Sequence, residues 1–140
     1  MITINKSKDF EEKVKIKLED SYKVKFTSKS ILIGNPPKNH KFDLVSEDNK
    51  IIVECKDNSW SKTNKTPHGK IKSMLTDILY FLKGPKDSQK ILVLKRYYNE
   101  KLKETLAEHF VRINKHLLEG IEILELDVEN MNMIQRFPNS

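Results

Sequence analysis

Cysteine is almost missing from this sequence. The single Cys55 in 140 residues excludes an internal disulfide and any cysteine-based zinc site, and a reducing cytoplasm is the expected setting. Long apolar runs are missing too. None approaches the length needed to cross a bilayer, so no membrane partner is expected. The opening residues Met1-Ile2-Thr3-Ile4-Asn5-Lys6 lack the apolar core of a signal peptide. There are no internal repeats and no low-complexity segments.

The apolar residues, 37% of the chain, suffice for one core and leave little for a second module. The expectation is one domain over residues 1–140, with a core at 8–126 and a C-terminal tail at 127–140 that is loose or a short helix from Asn130 onward. A third of the residues are charged and the net charge is +6, a balance that suits a polyanionic partner such as nucleic acid. A Lys-rich composition without any such partner would produce the same excess.

Periodicity organises the chain. Phe10, Val14 and Leu18 recur every four residues, with Tyr22 continuing the row, which predicts a helix over 8–21 capped by Ser7. Residues 22–26 and 30–33 are expected to be extended, and 34–39 to be a loop. Phe42-Asp43-Leu44-Val45 and Lys50-Ile51-Ile52-Val53-Glu54-Cys55-Lys56 form a hairpin around the polar turn 46–49. A helix is expected over 69–82, its stripe being Ile71, Leu75, Ile78, Leu79 and Leu82. Ile91-Leu92-Val93-Leu94 suits a strand buried on both faces. A third helix over 99–118 and a strand over 121–126 complete an α/β fold in the order αβββαβαβ, a central mixed sheet flanked by helices.

The hairpin carries the chemistry. Alternation sends Ile51, Val53 and Cys55 to one face of their strand and Ile52, Glu54 and Lys56 to the other. In the neighbouring strand Phe42 and Leu44 share one face, and Asp43 and Val45 the other. Matching the apolar faces brings Asp43 beside Glu54 and Lys56. Two charges at the end of an apolar strand are costly unless paired or bound to an ion. A divalent cation would relieve the repulsion between the acids, and hard oxygen ligands favour magnesium, with manganese as a substitute. Such a metal polarises a phosphoryl oxygen and makes a bound water more acidic. Lys56 can position or deprotonate the attacking water. The acid-x-Lys triplet also occurs at Glu11-Glu12-Lys13 and Asp48-Asn49-Lys50, but only Glu54-Cys55-Lys56 ends an apolar strand with an acid on its neighbour. An ordinary cross-strand salt bridge is the competing explanation.

These residues resemble the PD-(D/E)xK nuclease superfamily, which has the restriction-endonuclease-like fold. The likeness rests on Phe42-Asp43 and Ile51-Ile52-Val53-Glu54-Cys55-Lys56, with ten residues between the acids. The element order extends it over most of residues 8–126. Phe42 stands where the family name has proline. The resemblance implies that Asp43, Glu54 and the backbone carbonyl of Cys55 hold the metal, and that Lys56 takes the lysine role. It also implies a metal-facing acid on the first helix. Phe10-Glu11-Glu12-Lys13-Val14 looks like the corresponding stretch of junction-resolving members, and Glu11, beside Phe10 and Val14, is chosen over Glu12.

A basic segment follows the site. Lys62, Lys65, Lys70 and Lys72, with Trp60 and His68 among them, are suited to phosphate contact and base stacking. Trp60 could instead plug the core, and the lysines could belong to a solvated loop. His109 and His116 lack companions for a zinc site and are expected to be structural. The Cys55 thiol faces the core. The expected function is metal-dependent hydrolysis of phosphodiester bonds, in DNA before RNA, and cutting both strands would need a homodimer. The alternative is a module of the same fold that binds nucleic acid or a protein without cutting.

Overall fold

The computed structural model describes residues 6–60 and 68–138. The first helix, α1 (Lys6–Tyr22), seats Phe10, Val14 and Leu18 in the core as the four-residue spacing requires, but Tyr22 at its end is exposed. Ser7 lies inside α1 and so is not its N-cap. The helix reaches to Tyr22 because Lys23, at φ 56°, donates its N–H back to the Glu19 carbonyl (3.0 Å). The Glu19 carboxylate then accepts the Phe26 N–H (2.9 Å), so the extended stretch expected at 22–26 is a helix end and a tether.

Strands β1 (Phe26–Ile33), β2 (Lys38–Ser46) and β3 (Ile51–Lys56) form an antiparallel meander. The expected loop at 34–39 is shorter than its composition suggests, since β2 begins at Lys38. Beyond α2 (His68–Leu82), β4 (Gln89–Lys95) lies parallel to β3. β7 (Ile121–Asp127) lies parallel to β4, and β8 (Asn132–Phe137) antiparallel to β7. The six-stranded mixed sheet runs β1-β2-β3-β4-β7-β8. Because β3, β4 and β7 are parallel neighbours, their carboxyl ends share one edge.

Both faces of the sheet are covered. Phe10, Val14 and Leu18 of α1 pack on Leu44, Val53, Ile91, Val93 and Leu126. Met74, Ile78 and Phe81 of α2, with Leu106 and Phe110 of α3 (Leu106–Asn114), pack on Val45, Ile52, Leu92, Leu94 and Ile123. β4 is thus buried on both faces, as its continuous apolar run predicts.

Three expectations are overturned. First, the buried face of α2 is Met74, Asp77, Ile78 and Phe81, while Leu79 and Leu82 are more than half exposed. The helix carries two overlapping apolar stripes, and the flat stack of Phe81 on Phe42 (centroids 5.9 Å apart, 11° between planes) fills the space that selects one of them. Second, α3 starts at Leu106, not near 99. Asn99 Oδ1 accepts the N–H groups of Lys101 and Leu102 (2.9 and 3.0 Å), turning the chain into a short hairpin, β5 (Tyr98–Asn99) and β6 (Glu104–Thr105). Thr105 then caps α3 in a reciprocal box with Glu108. A 3-10 turn over Lys115–Leu117 closes the helix, and Leu102, Ile113 and Leu117, expected on its buried face, are exposed. Third, the described part of the tail, through residue 138, is not loose. Asp127 accepts from Glu129 N–H and the Asn130 side chain, folding the chain back so that β8 closes the sheet edge. Arg136 of β8 then reaches the fully buried Glu125 carboxylate (2.8 Å). No described helix is long and apolar enough to cross a membrane.

Candidate active site

The site forms where β2 and β3 part. Leu44 pairs with Val53 and Val45 with Ile52, and the ladder ends there. In place of the next rung, Asp43 Oδ2 accepts the Cys55 N–H (2.8 Å) and Glu54 Oε1 accepts the Asp43 N–H (3.3 Å). The carboxylates continue the strand pairing with side-chain oxygens. Strict alternation misses one detail. The β1–β2 register shifts between Thr27↔Val45 and Lys29↔Phe42, so β2 carries an extra residue here. Phe42 therefore packs with Val45 on the α2–α3 face, away from Leu44.

Asp43, Glu54, Cys55 and Lys56 line one cavity of about 310 Å³ with Phe10 and Glu11 of α1. Glu11 also lines a neighbouring hollow with the exposed Glu12, Lys8 and Lys15, and stands 3.9 Å from the Lys8 ammonium. Cys55 packs its side chain against the α1-side core, as expected, and burial pushes its thiol pKa well up.

The electrostatics are those of acids held close together out of water. Glu54 is only 5% exposed. Burial first, then the charges of Asp43 and Asp77, push its carboxyl up to about 9. Glu11 is raised by burial and then by Asp43. Lys56 turns toward α2, where its Nζ donates to Ser73 Oγ (3.1 Å) and stands 3.1 Å from Asp77 Oδ2. That last contact is close enough for an ion pair but is not aligned as a hydrogen bond. Burial raises Asp77, and Lys56 opposes the shift.

Sequence reasoning missed three of these neighbours: Asp77, Ser73 and His40. The signal for Asp77 was available, since a lone acid at an apolar-stripe position needs a partner. His40 left no sequence signal. It stacks on Tyr80 (centroids 3.8 Å apart) and places a buried Nε2 3.5 Å from Glu54 Oε1. Burial holds its pKa below the usual imidazole value.

Three carboxylates and a main-chain carbonyl are hard oxygen donors, the set that magnesium or manganese prefers. The buried Glu54 beside Asp43 fits such an ion, because a dication would offset the burial and repulsion that raise its carboxyl. Among the described residues, no three His, Cys, Asp or Glu side chains stand ready-made as a metal cage. Asp43 and Glu54 are turned toward backbone N–H groups, and binding would draw them off.

The nucleic-acid contacts expected after the site fare unevenly. Trp60 is not exposed for stacking. It is 3% exposed, its Nε1 donates to the Tyr97 carbonyl (2.9 Å), and its ring meets His109 edge-on at 5.0 Å. It is the core plug. His68 opens α2, and it, Lys70 and Lys72 are exposed there, while Lys62 and Lys65 lie outside the described residues. His109 is structural, buried and bound to Glu104 (2.9 Å). His116 is exposed.

The acid cluster has a cost that can be measured. The folded state holds Glu54 near 9 against an ordinary 4.5, so it favours the protonated form. The contribution of Glu54 to stability is therefore full below about pH 4.5 and is lost as pH rises toward 9, by at most ~1.4 kcal/mol per pH unit. Glu54→Gln removes the charge and keeps the shape. In chelator, it is expected to be more stable than wild type by roughly 1–3 kcal/mol at pH 7 and by little at pH 4.5. Urea unfolding at both pH values checks this, and an equal difference at both would contradict it. Neither a family model, nor a curated protein, nor a solved structure matches this chain.

Proposed function

We propose that this chain is a metal-dependent endonuclease of the PD-(D/E)xK type, a hydrolase of phosphodiester bonds with DNA as its substrate. The observation that carries the reading is the meeting of Asp43, Glu54 and Glu11 in one cavity with Lys56, at the point where two core strands separate. In this reading Asp43, Glu54, Glu11 and the Cys55 carbonyl hold a magnesium or manganese ion. When bound, the ion would neutralise phosphate charge and acidify water. Lys56 orients the attacking water and offsets developing negative charge. Lys70 and Lys72, exposed in the first turns of α2, meet phosphates beside the site. We place the protein in the cytoplasm, where the free Cys55 thiol stays reduced.

One observation favours the second reading, a binding module of the same fold: the described acids do not form a ready ligand cage. Incubating the protein with plasmid, linear, single-stranded and branched DNA, with magnesium, manganese or chelator, separates the two. Cleavage only with metal is the expected result. Binding without cleavage under every metal condition would establish the module and overturn the enzyme.

A further inference from the structure

Beside the acid cavity lies a second one of about 450 Å³, and the two share Phe10 and Asp57 at their common rim. Lys13 of α1 lines one wall, and Ser59, Lys95 and Tyr97 line the sheet side. Lys95 follows Val93 by two residues on β4 and so faces α1 with it. Asp9 also lines the wall, within an exposed ion pair to Lys13 (3.3 Å) that costs little to exchange.

Tyr97 is 42% exposed, yet its backbone is fixed. Its carbonyl accepts both the Trp60 indole N–H (2.9 Å) and the Leu106 N–H (3.0 Å). Trp60, wedged against His109, thus serves to hold an aromatic residue at the lip of the cleft. A platform held in place loses little freedom when a ligand lands on it.

We propose that this cavity is a subsite for one unpaired nucleotide flanking the cleaved bond, with its base on Tyr97 and its phosphate at Lys95 and Lys13. The cavity lies within the ~300–1,000 Å³ range of small-ligand sites. A base can present its face to a side chain in such a cleft only when it is out of a duplex. The substrate is therefore a nucleic acid with a single-stranded segment at the cut, such as an overhang, flap or branch. The assignment rests on the nuclease reading for its orientation, but binding tests it without cleavage.

The probes are a ten-nucleotide single-stranded DNA carrying 2-aminopurine, a duplex with a short overhang, and a blunt duplex, each titrated in calcium. Wild type is expected to bind the first two more tightly than the blunt duplex. Tyr97→Ala should weaken them roughly tenfold or more, leaving the blunt duplex unchanged. Tyr97→Phe, which keeps the ring, should stay within about twofold. Lys95→Ala should reduce the salt slope of single-strand binding by about one. Circular dichroism melts of each variant check the fold, and the salt slope of Lys95→Ala decides the point if Tyr97→Ala melts early, an unchanged slope overturning the subsite. Equal binding by wild type and Tyr97→Ala, or equal losses on all three probes, would overturn the subsite, as would a wild type with no preference for unpaired DNA. Selective binding by a wild type that cuts nothing in magnesium would keep the subsite and remove the nuclease.

Discussion

Asp43→Ala is expected to abolish divalent-ion binding and DNA cleavage together. Asp43 is the residue through which the other parts of the site are coupled. Its Oδ2 holds the Cys55 N–H, its own N–H holds Glu54 Oε1, and its charge raises Glu11 and Glu54. Alanine removes a ligand oxygen and releases the N–H of Cys55, the residue whose carbonyl is a further proposed ligand. The expected loss of cleavage is at least on the order of 10² to 10³, the scale of removing one preorganised charge-stabilising group, and is complete if no ion binds. The fold should survive, because Asp43 lies just beyond the last β2–β3 rung and the core pairs Leu44–Val53 and Val45–Ile52 remain. Calorimetric titration with manganese, alongside a melting curve, checks the point. Equal ion affinity in wild type and variant would sink the metal assignment even if cleavage were lost. Asp43→Asn adds a control, since its amide oxygen can keep the bond to Cys55 N–H while removing the charge.

The legible parts of this protein were those where one pattern had one physical solution. The buried run Ile91–Leu94 suited a strand covered on both faces, and β4 is one. The hairpin placed Asp43 beside Glu54, as alternation suggested, but the partner of Lys56 is Asp77, which comes from α2. Other parts had two solutions of similar quality. α2 could turn either apolar stripe inward, and packing against Phe42 decided it. Residues 99–105 have helical spacing but also an Asn and a Thr that compete for backbone N–H groups, and those side chains won. β8 has no strong alternation and depends on its partner β7 and on the Arg136–Glu125 contact, which no local window contains. Trp60 was ambiguous for the same reason, because its hydrogen-bond partner is the carbonyl of Tyr97, thirty-seven residues away.

The ion pair at α2 changes what the lysine variant must be asked. Lys56→Ala is expected to leave DNA binding largely intact and to reduce cleavage on the order of a hundredfold or more, the usual worth of a positioned acid–base group. The same change also leaves Asp77, 5% exposed, without its cation. Breaking a buried pair from one side is destabilising by a few kcal/mol, moderated here because burial already favours protonated Asp77. A drop in activity could then be blamed on a weakened fold. The double variant Lys56→Ala with Asp77→Asn separates the causes. It removes the orphaned charge and should recover most of the lost stability, yet its cleavage should stay at the level of Lys56→Ala alone. Lys56→Arg should keep the ion pair and the fold but not the activity, since a guanidinium stays protonated and its planar fork cannot place one nitrogen as an ammonium does. Time courses on labelled DNA in magnesium and manganese, run with urea unfolding of the same four proteins, supply both readouts. Recovery of cleavage in the double variant would show that Lys56 acts only by neutralising Asp77, and its proposed role at the attacking water would be wrong.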